Sequence, residues 1–151
     1  MIEILFFRIG DRVAGVETQY LEEVVHSPGL FPYLPISPYI KEMFVNRGKP
    51  IGIIDLSSFV SLNGKAINND LILLYASDIS FGIKINKIVQ VRPVSESKIV
   101  SPDDNTFLPE ELLDSSCKVK RMMIPIISPE KILHHPEIEP LWNNRKNLID
   151  L

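Results

Sequence analysis

Few side chains in this sequence could serve as a catalytic nucleophile or base. The chain has three histidines, His26, His134 and His135, and one cysteine, Cys117. A nucleophile needs a base within hydrogen-bonding distance, and none of these residues belongs to a recognisable local signature. Adjacent histidines on a helix point about 100° apart, so His134 and His135 are expected at a solvated helix end rather than at a metal.

Phosphate and carboxylate chemistry is no better supported. The segment GKPIG, residues 48–52, lacks the spacing of a phosphate-binding loop. Glu22 and Glu23 are neighbours in a predicted strand, where consecutive side chains face opposite sides, so they cannot work as a pair. The sequence therefore predicts a protein without enzymatic activity, without a cofactor and without a metal.

A charged turn, Arg47-Gly48, lies between two apolar runs that predict a hairpin. Gly48 supplies the positive φ that a tight turn needs. Arg47 would then project from a rigid tip, where its planar guanidinium suits a carboxylate or carbonyl groups. The simpler alternative is a surface charge with an internal salt bridge.

Two residues are expected to cap short helices. Asp55 ends the second apolar run and is expected to cap a helix over residues 56–62, and Ser128 to cap another over 129–134. Their side-chain oxygens can accept from the free N–H groups of a first turn. Pro129 suits the first helical position, where its missing N–H costs nothing.

Composition and charge exclude several classes of protein. The chain has 151 residues, of which 45% are hydrophobic and 23% charged, and a net charge of −3. Its lysines and arginines are spread along the sequence, which argues against a nucleic-acid or anionic-membrane partner. No apolar run approaches the roughly 20 residues of a membrane span. Glu3 lies where a secretory signal is positive, and a single cysteine excludes an internal disulfide, so we expect a cytoplasmic protein.

Alternating apolar residues predict a mainly β protein. Strands are expected over residues 2–9, 13–16, 20–25, 44–46, 51–54, 71–75, 81–91 and 122–127. The alternation slips at Lys87, which indicates a bulge or a bend, after which Val89 and Val91 are expected to carry the apolar face. Residues 101–113 are expected to form a loop with a short helical turn at 110–113.

Two pairs of segments repeat in the same order along the chain. KPIGIIDLSSFV (49–60) aligns with MMIPIISPEKIL (122–133), and FFRIGDRVAGVE (6–17) aligns with LLYASDISFGIK (73–84). The spacing is too long for a solenoid repeat. We therefore predict two similar small β-barrels or sheets, which pack on each other because each is too small for a large core. The cleft between them is the expected binding place.

Several segments together carry a family resemblance. They are YLEEVVHSPGLFPYLPISPYI (20–40), EMFVNRGKPIGIIDL (42–56), SFGIKINKIVQVRPVSESKI (80–99) and MMIPIISPEKIL. The chain resembles CheW-like domains, the adaptor modules of bacterial chemotaxis, and the R-G…D-L element of the second segment is the most specific part. The resemblance covers residues 2–135. It implies an all-β fold of two five-stranded SH3-like β-barrels that exchange strands and carry short capping helices. The domain would span residues 1–135, followed by a tail over 136–151.

The resemblance also implies a function. Such modules are non-enzymatic scaffolds that couple chemoreceptors to the histidine kinase CheA through protein–protein contacts. The implied partners are receptor signalling tips and the regulatory domain of CheA, with no nucleic acid and no membrane insertion. Carried over to this sequence, Arg47 and Gly48 occupy the R-G turn, and Leu21 and Glu23 occupy third-strand positions that line partner contacts. For Leu21, plain burial in the core is an equal alternative.

Departures from the family pattern leave other functions open. Glu42 replaces a glycine, Asn46 an aliphatic residue, Gly52 a proline-like position, Asn86 an aspartate and Ser128 another aspartate. The chain is therefore a divergent member of the pattern. The alternatives are an adaptor of another two-component or motility system, such as twitching motility, and a small-ligand-binding β domain.

The tail lies beyond the resemblance. Pro136 and Pro140 end the predicted helix at 129–134. A short amphipathic helix that docks on the barrels or on a partner could be formed with Trp142, Leu148, Ile149 and Leu151. Self-docking is the expectation, because exposed apolar clusters are uncommon on soluble monomers.

Overall fold

The chain folds mainly into β-strands, as described by a computed structural model of residues 1–26, 29–32, 39–56, 71–75, 81–103 and 106–140. The strands are β1 (Ile2–Ile9), β2 (Arg12–Glu17), β3 (Leu21–His26), β4 (Phe31–Pro32), β5 (Ile40–Asn46), β6 (Lys49–Ile54), β7 (Leu71–Tyr75), β8 (Phe81–Ile85), β9 (Lys87–Val94), β10 (Ile99–Val100), β11 (Leu113–Val119) and β12 (Met122–Ile127). Short 3-10 turns lie at Thr18–Tyr20, Glu96–Lys98 and Glu110–Leu112, and helix α1 covers Pro129–Leu133.

The strands form two six-stranded sheets with the same internal order. Sheet A runs β10-β11-β12-β2-β1-β9, and sheet B runs β4-β5-β6-β8-β7-β3. Because β4 and β10 have only two residues each, each sheet has five longer strands. Sheet A combines the first hairpin with strands of the second half of the chain, whereas sheet B combines the second hairpin with strands of the first half. This exchange confirms the predicted all-β fold of two similar, interlinked units.

Strand pairing confirms the repeat read from the sequence. In sheet A, β2 and β12 are parallel at Gly15 and Ile126, and in sheet B, β8 and β6 are parallel at Gly82 and Ile53. The sequence alignment places the same glycines on each other. Strands β6 and β12 also share one burial pattern, exposed at the first residue and buried over the last four.

The alignment is one residue out of register in the first strand of each hairpin. Phe6 lies opposite Gly15, and Leu74 lies opposite Gly82. Phe6 is therefore equivalent to Leu74, although the sequence alignment sets it on Leu73. An ungapped comparison cannot detect such a shift, because both neighbours are apolar.

Three apolar clusters hold the sheets together. The largest is shared between the sheets and includes Leu5, Phe7 and Ile9 of β1 and Ile54 and Ile83 of β6 and β8. A second cluster belongs to sheet A and includes Ile4, Phe6, Val94, Cys117, Ile124 and Ile126. A third belongs to sheet B and includes Phe44, Ile51 and Ile53. The prediction that the units pack on each other is confirmed.

Among the described residues, the space between the units, where the binding cleft was predicted, is filled with side chains. The shared cluster fills that space with fully buried side chains, such as Phe7 and Ile54, both 0% exposed. Water-excluding contact of two apolar sheet faces removes the room that a small ligand would need. This packing counts against a ligand-binding site between the sheets.

Two local predictions also need correction. The sequence did not predict strand β11, because LDSSCKV contains several polar residues. Ser115 and Ser116 are nevertheless buried in this strand. The Ser116 hydroxyl accepts a hydrogen bond from the Asp103 N–H at 3.0 Å, which makes that burial tolerable. A bend at Asn86, next to Lys87, separates β8 from β9, and the bulge of β9 falls at Val89, since Ile88 pairs with Phe7 and Gln90 with Phe6. Val89 and Val91 are 43% and 50% exposed instead of facing the core.

Candidate interaction surface

The β5–β6 turn presents Arg47 from a tight two-residue connection. Asn46 pairs with Lys49 across the hairpin, which leaves only Arg47 and Gly48 in the turn. Both have positive φ, 53° and 79°, as the favoured turns of two-residue hairpins require. The sequence predicted this conformation for Gly48 but not for Arg47. Because the turn is short and closed by the pairing of Asn46 with Lys49, the backbone holds Arg47 in a fixed position.

Glu23 of β3 is tied to this turn by two neighbouring side chains. The Asn46 amide donates to Glu23 Oε1 at 2.9 Å, and Arg47 Nη2 lies 3.8 Å from Glu23 Oε2. The Arg47 side chain remains 76% exposed, whereas that of Glu23 is 29% exposed. The internal salt bridge considered for Arg47 is thus present. At this length and exposure it leaves most of the guanidinium free for other acceptors.

Leu21 lies at the start of the same strand but has different surroundings. It is partly buried and packs against the apolar cluster shared by the sheets. A bulge separates it from Glu23, since Leu21 pairs with Tyr75 and Glu23 with Leu74. The structure therefore brings Glu23, Arg47 and Gly48 together and places Leu21 beside them with part of its side chain in the core.

Two exposed apolar side chains of sheet B were missed by the sequence analysis. Val45 directly precedes Asn46 in β5 and is 57% exposed, and Phe31 of β4 is 42% exposed. Phe31 pairs with Met43, two residues before Val45. The alternation of β5 was the available signal, because buried Phe44 requires its neighbour Val45 to point outward.

Two departures from the family pattern have structural partners. The Asn86 side-chain oxygen accepts from the Gly10 N–H at 2.7 Å and so fixes the β1–β2 turn. Glu42 forms an ion pair with Lys84, which is only 11% exposed. Both substitutions therefore fit the fold of this chain.

The two predicted capping residues have different outcomes. Ser128 caps α1 as predicted, since its hydroxyl accepts from the Lys131 N–H at 3.2 Å and Pro129 occupies the first turn. The Asp55 N–H donates to the Tyr39 carbonyl at 3.1 Å, but residues 57–62 of its predicted helix lie outside the described residues. The predicted tail helix, from Trp142 onward, also lies outside them.

The histidine pair is not the solvated helix end that the sequence predicted. His134 is exposed, but His135 is 8% exposed, with Nε2 3.2 Å from Glu111 Oε1 and its ring 6.2 Å from that of Tyr39. It packs inward because the chain turns after α1 and returns towards the Glu110–Leu112 turn. Within the described part of the chain, no group of three or more His, Cys, Asp or Glu side chains is arranged for a metal. Likewise, no helix of that part is long and apolar enough to cross a membrane.

Comparison with known proteins gives consistent relatives. The model of a family described as "CheW-like domain" matches residues 3–137. The chain is 23% identical over 149 residues to the chemotaxis protein CheW of Treponema pallidum (strain Nichols), covering 93% of this chain and 87% of that protein. It superposes on the crystal structure of scaffolding protein TtCheW from Thermoanaerobacter tengcongensis with a TM-score of 0.75 and 22% identity, covering 85% of this chain and 84% of the other.

Proposed function

The chain belongs to the CheW-like domain family, whose members are non-enzymatic adaptors of chemotaxis signalling, and we propose that it couples chemoreceptor signalling tips to the regulatory domain of the histidine kinase CheA. It does so in the cytoplasm, through protein–protein contacts alone. The contact surface consists of Arg47 and Gly48 of the β5–β6 turn with Glu23 and Leu21 of β3. We call this group of residues the Arg47 surface.

One observation carries this proposal, the exposure of the Arg47 guanidinium on a rigid turn. Its partner Glu23 lies 3.8 Å away. This ion pair orients the Arg47 side chain and leaves most of the guanidinium available to a binding partner. A planar fork of donors held in this way suits a carboxylate or exposed carbonyl groups at the end of a partner helix.

Apolar area beside the arginine supports the same kind of partner. Val45 is 57% exposed, and Leu21 keeps part of its side chain outside the core. An amphipathic helix can lay its apolar face on such residues while a polar group reaches the guanidinium. Aliphatic contact supplies affinity, and the arginine supplies orientation.

The test is a titration of the labelled protein with the regulatory domain of its cognate kinase, and separately with a receptor signalling-tip fragment. We expect saturable binding, weakened at least about tenfold by Arg47→Glu, the effect of losing roughly 1.4 kcal/mol of contact energy. Leu21→Glu should weaken it further, but it also disturbs the core. Leu21→Ala, checked by circular dichroism, is therefore measured beside it.

The matched control lies in the equivalent turn of sheet A. Lys120-Arg121 connects β11 to β12 as Arg47-Gly48 connects β5 to β6, and Arg121 is exposed. Arg121→Glu changes the net charge as Arg47→Glu does and should leave kinase and receptor binding intact. Equal weakening by both variants would mean that only net charge matters. Absence of binding by the folded wild type would overturn the proposed coupling and favour an adaptor of another motility system.

A further inference from the structure

The Glu23 carboxylate is shared unequally between two side chains of the β5–β6 hairpin. Asn46 Nδ2 donates to Glu23 Oε1 at 2.9 Å, which is an ordinary length for a hydrogen bond. Arg47 Nη2 lies 3.8 Å from Glu23 Oε2, which is too long for one. The neutral amide of Asn46, and not the guanidinium of Arg47, therefore makes the hydrogen bond to this carboxylate.

This division disfavours the strongest pairing that Glu23 and Arg47 could form. An arginine and a carboxylate bind each other best through two parallel N–H···O bonds with N–O distances of about 2.7–2.9 Å. Such a pair would occupy both oxygens of Glu23 and one edge of the Arg47 guanidinium. The hydrogen bond from Asn46 holds Oε1 in another direction and so competes with that arrangement.

The backbone makes Asn46 the more persistent donor of the two. Asn46 forms the last pair of the hairpin with Lys49 and is half-buried, whereas Arg47 begins the turn and is exposed. Fixing a long arginine side chain costs more conformational entropy than fixing a short asparagine. Glu23 is therefore held by the short side chain on the paired strand.

Partial burial of Glu23 makes the identity of its donor important for binding. The Glu23 side chain is 29% exposed and the Arg47 side chain 76% exposed. If Arg47 were the donor, a partner that captured the guanidinium would leave a partly buried carboxylate without a hydrogen bond, which is costly. Because Asn46 is the donor, Glu23 keeps its hydrogen bond when Arg47 turns to a partner.

We propose that Asn46 is a positioning residue of the Arg47 surface, which holds Glu23 so that Arg47 stays open to a carboxylate of the partner. This inference rests on the proposed function, because it concerns the same surface. An aliphatic side chain at position 46 has no donor, so Glu23 would close on Arg47 and compete with an acidic partner. Asn46 thus tunes the surface towards partners that present an acidic side chain to the turn.

The first test needs no partner. NMR spectroscopy of the full-length protein measures rotation of the Arg47 guanidinium about its Nε–Cζ bond, which a two-bond pairing with a carboxylate slows. We expect rotation in the wild type as fast as that of the exposed Arg121, and slower rotation in Asn46→Leu, which has a similar shape and no amide. Asn46→Ala, checked like Asn46→Leu by circular dichroism, is the second variant. Unchanged rotation in both folded variants would overturn the proposal.

The second test is a titration with the kinase regulatory domain and with the receptor signalling-tip fragment. Asn46→Leu should weaken binding about threefold to tenfold, the equivalent of the net contribution of one hydrogen bond. In a Glu23→Ala background the same change should alter binding less than about twofold, because Asn46 acts through Glu23. Equal weakening in both backgrounds would mean that Asn46 touches the partner itself, and the positioning role would be wrong.

A matched control makes the same chemical change in sheet A. Gln90 is exposed, and Gln90→Leu, which also replaces an amide by an aliphatic group, should alter neither Arg47 rotation nor binding. If the wild type binds and Asn46→Leu changes neither quantity, the proposed function stands and the role of Asn46 is refuted. If the folded wild type binds neither partner but Asn46→Leu slows the rotation of Arg47, Asn46 does hold Glu23 away from Arg47 and it is the proposed coupling that fails.

Discussion

Sheets A and B share one strand order but close their outer strands differently. In sheet B, Glu23 of β3 meets Asn46 and Arg47 through a hydrogen bond and an ion pair. Register places Gln90 of β9 where Glu23 stands, since Gln90 pairs with Phe6 and Glu23 with Leu74. The turn residues equivalent to Asn46 and Arg47 are Val119 and Lys120.

In sheet A the residue equivalent to Asn46 is the apolar Val119. It packs against the cluster formed by Ile4, Phe6, Cys117 and their neighbours, and Gln90, the equivalent of Glu23, is exposed. A polar contact such as that between β3 and the β5–β6 turn of sheet B can exchange its hydrogen bonds for hydrogen bonds to a partner at little net cost in free energy. An apolar one can open only by exposing its core residues. This difference favours sheet B over sheet A as the place of the proposed reversible contact.

The largest expected effect tests whether the two sheets are equivalent in their cores. Ile126 and Ile53 occupy the same place beside Gly15 and Gly82, and they are 1% and 2% exposed. Ile126→Ala and Ile53→Ala should each lower the free energy of unfolding by about 3 kcal/mol, since both leave a cavity among packed side chains. Urea denaturation measures both. A several-fold smaller loss at one position would show that equal register does not mean equal packing.

The next largest effect concerns the crossing of β2 and β12. A Cβ on Gly15 would lie 2.9 Å from Ile126 Cδ1 and 2.9 Å from Ile4 Cγ2. Gly15→Ala should therefore cost about 1–3 kcal/mol through overpacking. Gly29, whose Cβ would meet nothing within 4 Å, is the control, and Gly29→Ala should stay within about 0.5 kcal/mol of the wild type. Equal losses at the two glycines would point to backbone freedom and not to contact at Gly15.

A gain in stability is expected where sheet B departs from sheet A. Tyr75 is equivalent to Phe7, since each lies opposite the residue before the paired glycine. The Tyr75 hydroxyl is buried and has no hydrogen-bond partner among the described residues, and its ring stacks on Phe81 at 5.0 Å. Tyr75→Phe keeps the ring and removes the unpaired group, so unfolding should cost about 1 kcal/mol more.

The reverse change completes that comparison. Phe7→Tyr places a hydroxyl in the same shared cluster, where Phe7 is 0% exposed, and should lower the free energy of unfolding. A loss of stability in Tyr75→Phe would instead reveal a partner for the Tyr75 hydroxyl, such as a buried water molecule.

The hydrogen bond and the ion pair that connect Glu23 to Asn46 and Arg47 should contribute little to stability. Asn46→Ala removes the hydrogen bond to Glu23 and should cost about 0.5–1.5 kcal/mol. Arg47→Ala removes an exposed ion pair and should cost less than about 1 kcal/mol. Gln90→Ala, the equivalent change to Glu23→Ala in sheet A, should be neutral in thermal unfolding. A cost for Arg47→Ala well above that for Asn46→Ala would make the arginine a structural residue and weaken its assignment to a partner surface.

The sequence predicted most of this architecture because the residues that repeat are buried ones. The isoleucines of β6 and β12 have the same spacing, and Gly15 and Gly82 occupy matching positions in the sequence alignment. In the structure, these residues make equivalent strand pairings. Periodicity could not reveal β11, because a hydroxyl such as that of Ser116 becomes buriable only once the Asp103 N–H bonds to it. It also could not show that Val91 is exposed, since that depends on what covers the face.

The proposed surface was less accessible to sequence reasoning. Arg47 and Glu23 are separated along the chain and meet only because β3 and the β5–β6 turn come together. Arg8 and Lys87 are likewise far apart in the sequence and become neighbours only because β1 and β9 pair. The spacing of residues along the sequence predicts local geometry only. The pairing of distant strands decides which charged residues lie side by side.

The smallest expected effect lies at a pair of equivalent positions with opposite charge. Lys84 of sheet B pairs with Glu42, whereas Glu17, its counterpart in sheet A, lies near Asp114. Burial first, and then the Asp114 carboxylate, raise the pKa of Glu17. A carboxyl whose pKa is higher in the folded state stabilises the protein below its unfolded pKa, and that contribution is lost as the pH rises through the folded value. Glu17→Gln should therefore raise the free energy of unfolding by a few tenths of a kcal/mol, about 0.5 at most, at neutral pH and leave it nearly unchanged in acid.

Glu17→Lys makes the comparison direct. It copies Lys84 and places a cation beside Asp114, so at neutral pH it should stabilise the protein at least as much as Glu17→Gln does. Urea unfolding at about pH 4 and about pH 7 measures both variants against the wild type across the range in which glutamates titrate. If Glu17→Gln shifts stability equally at the two pH values, the effect is one of packing, and the charge difference between the sheets has no energetic consequence at this position.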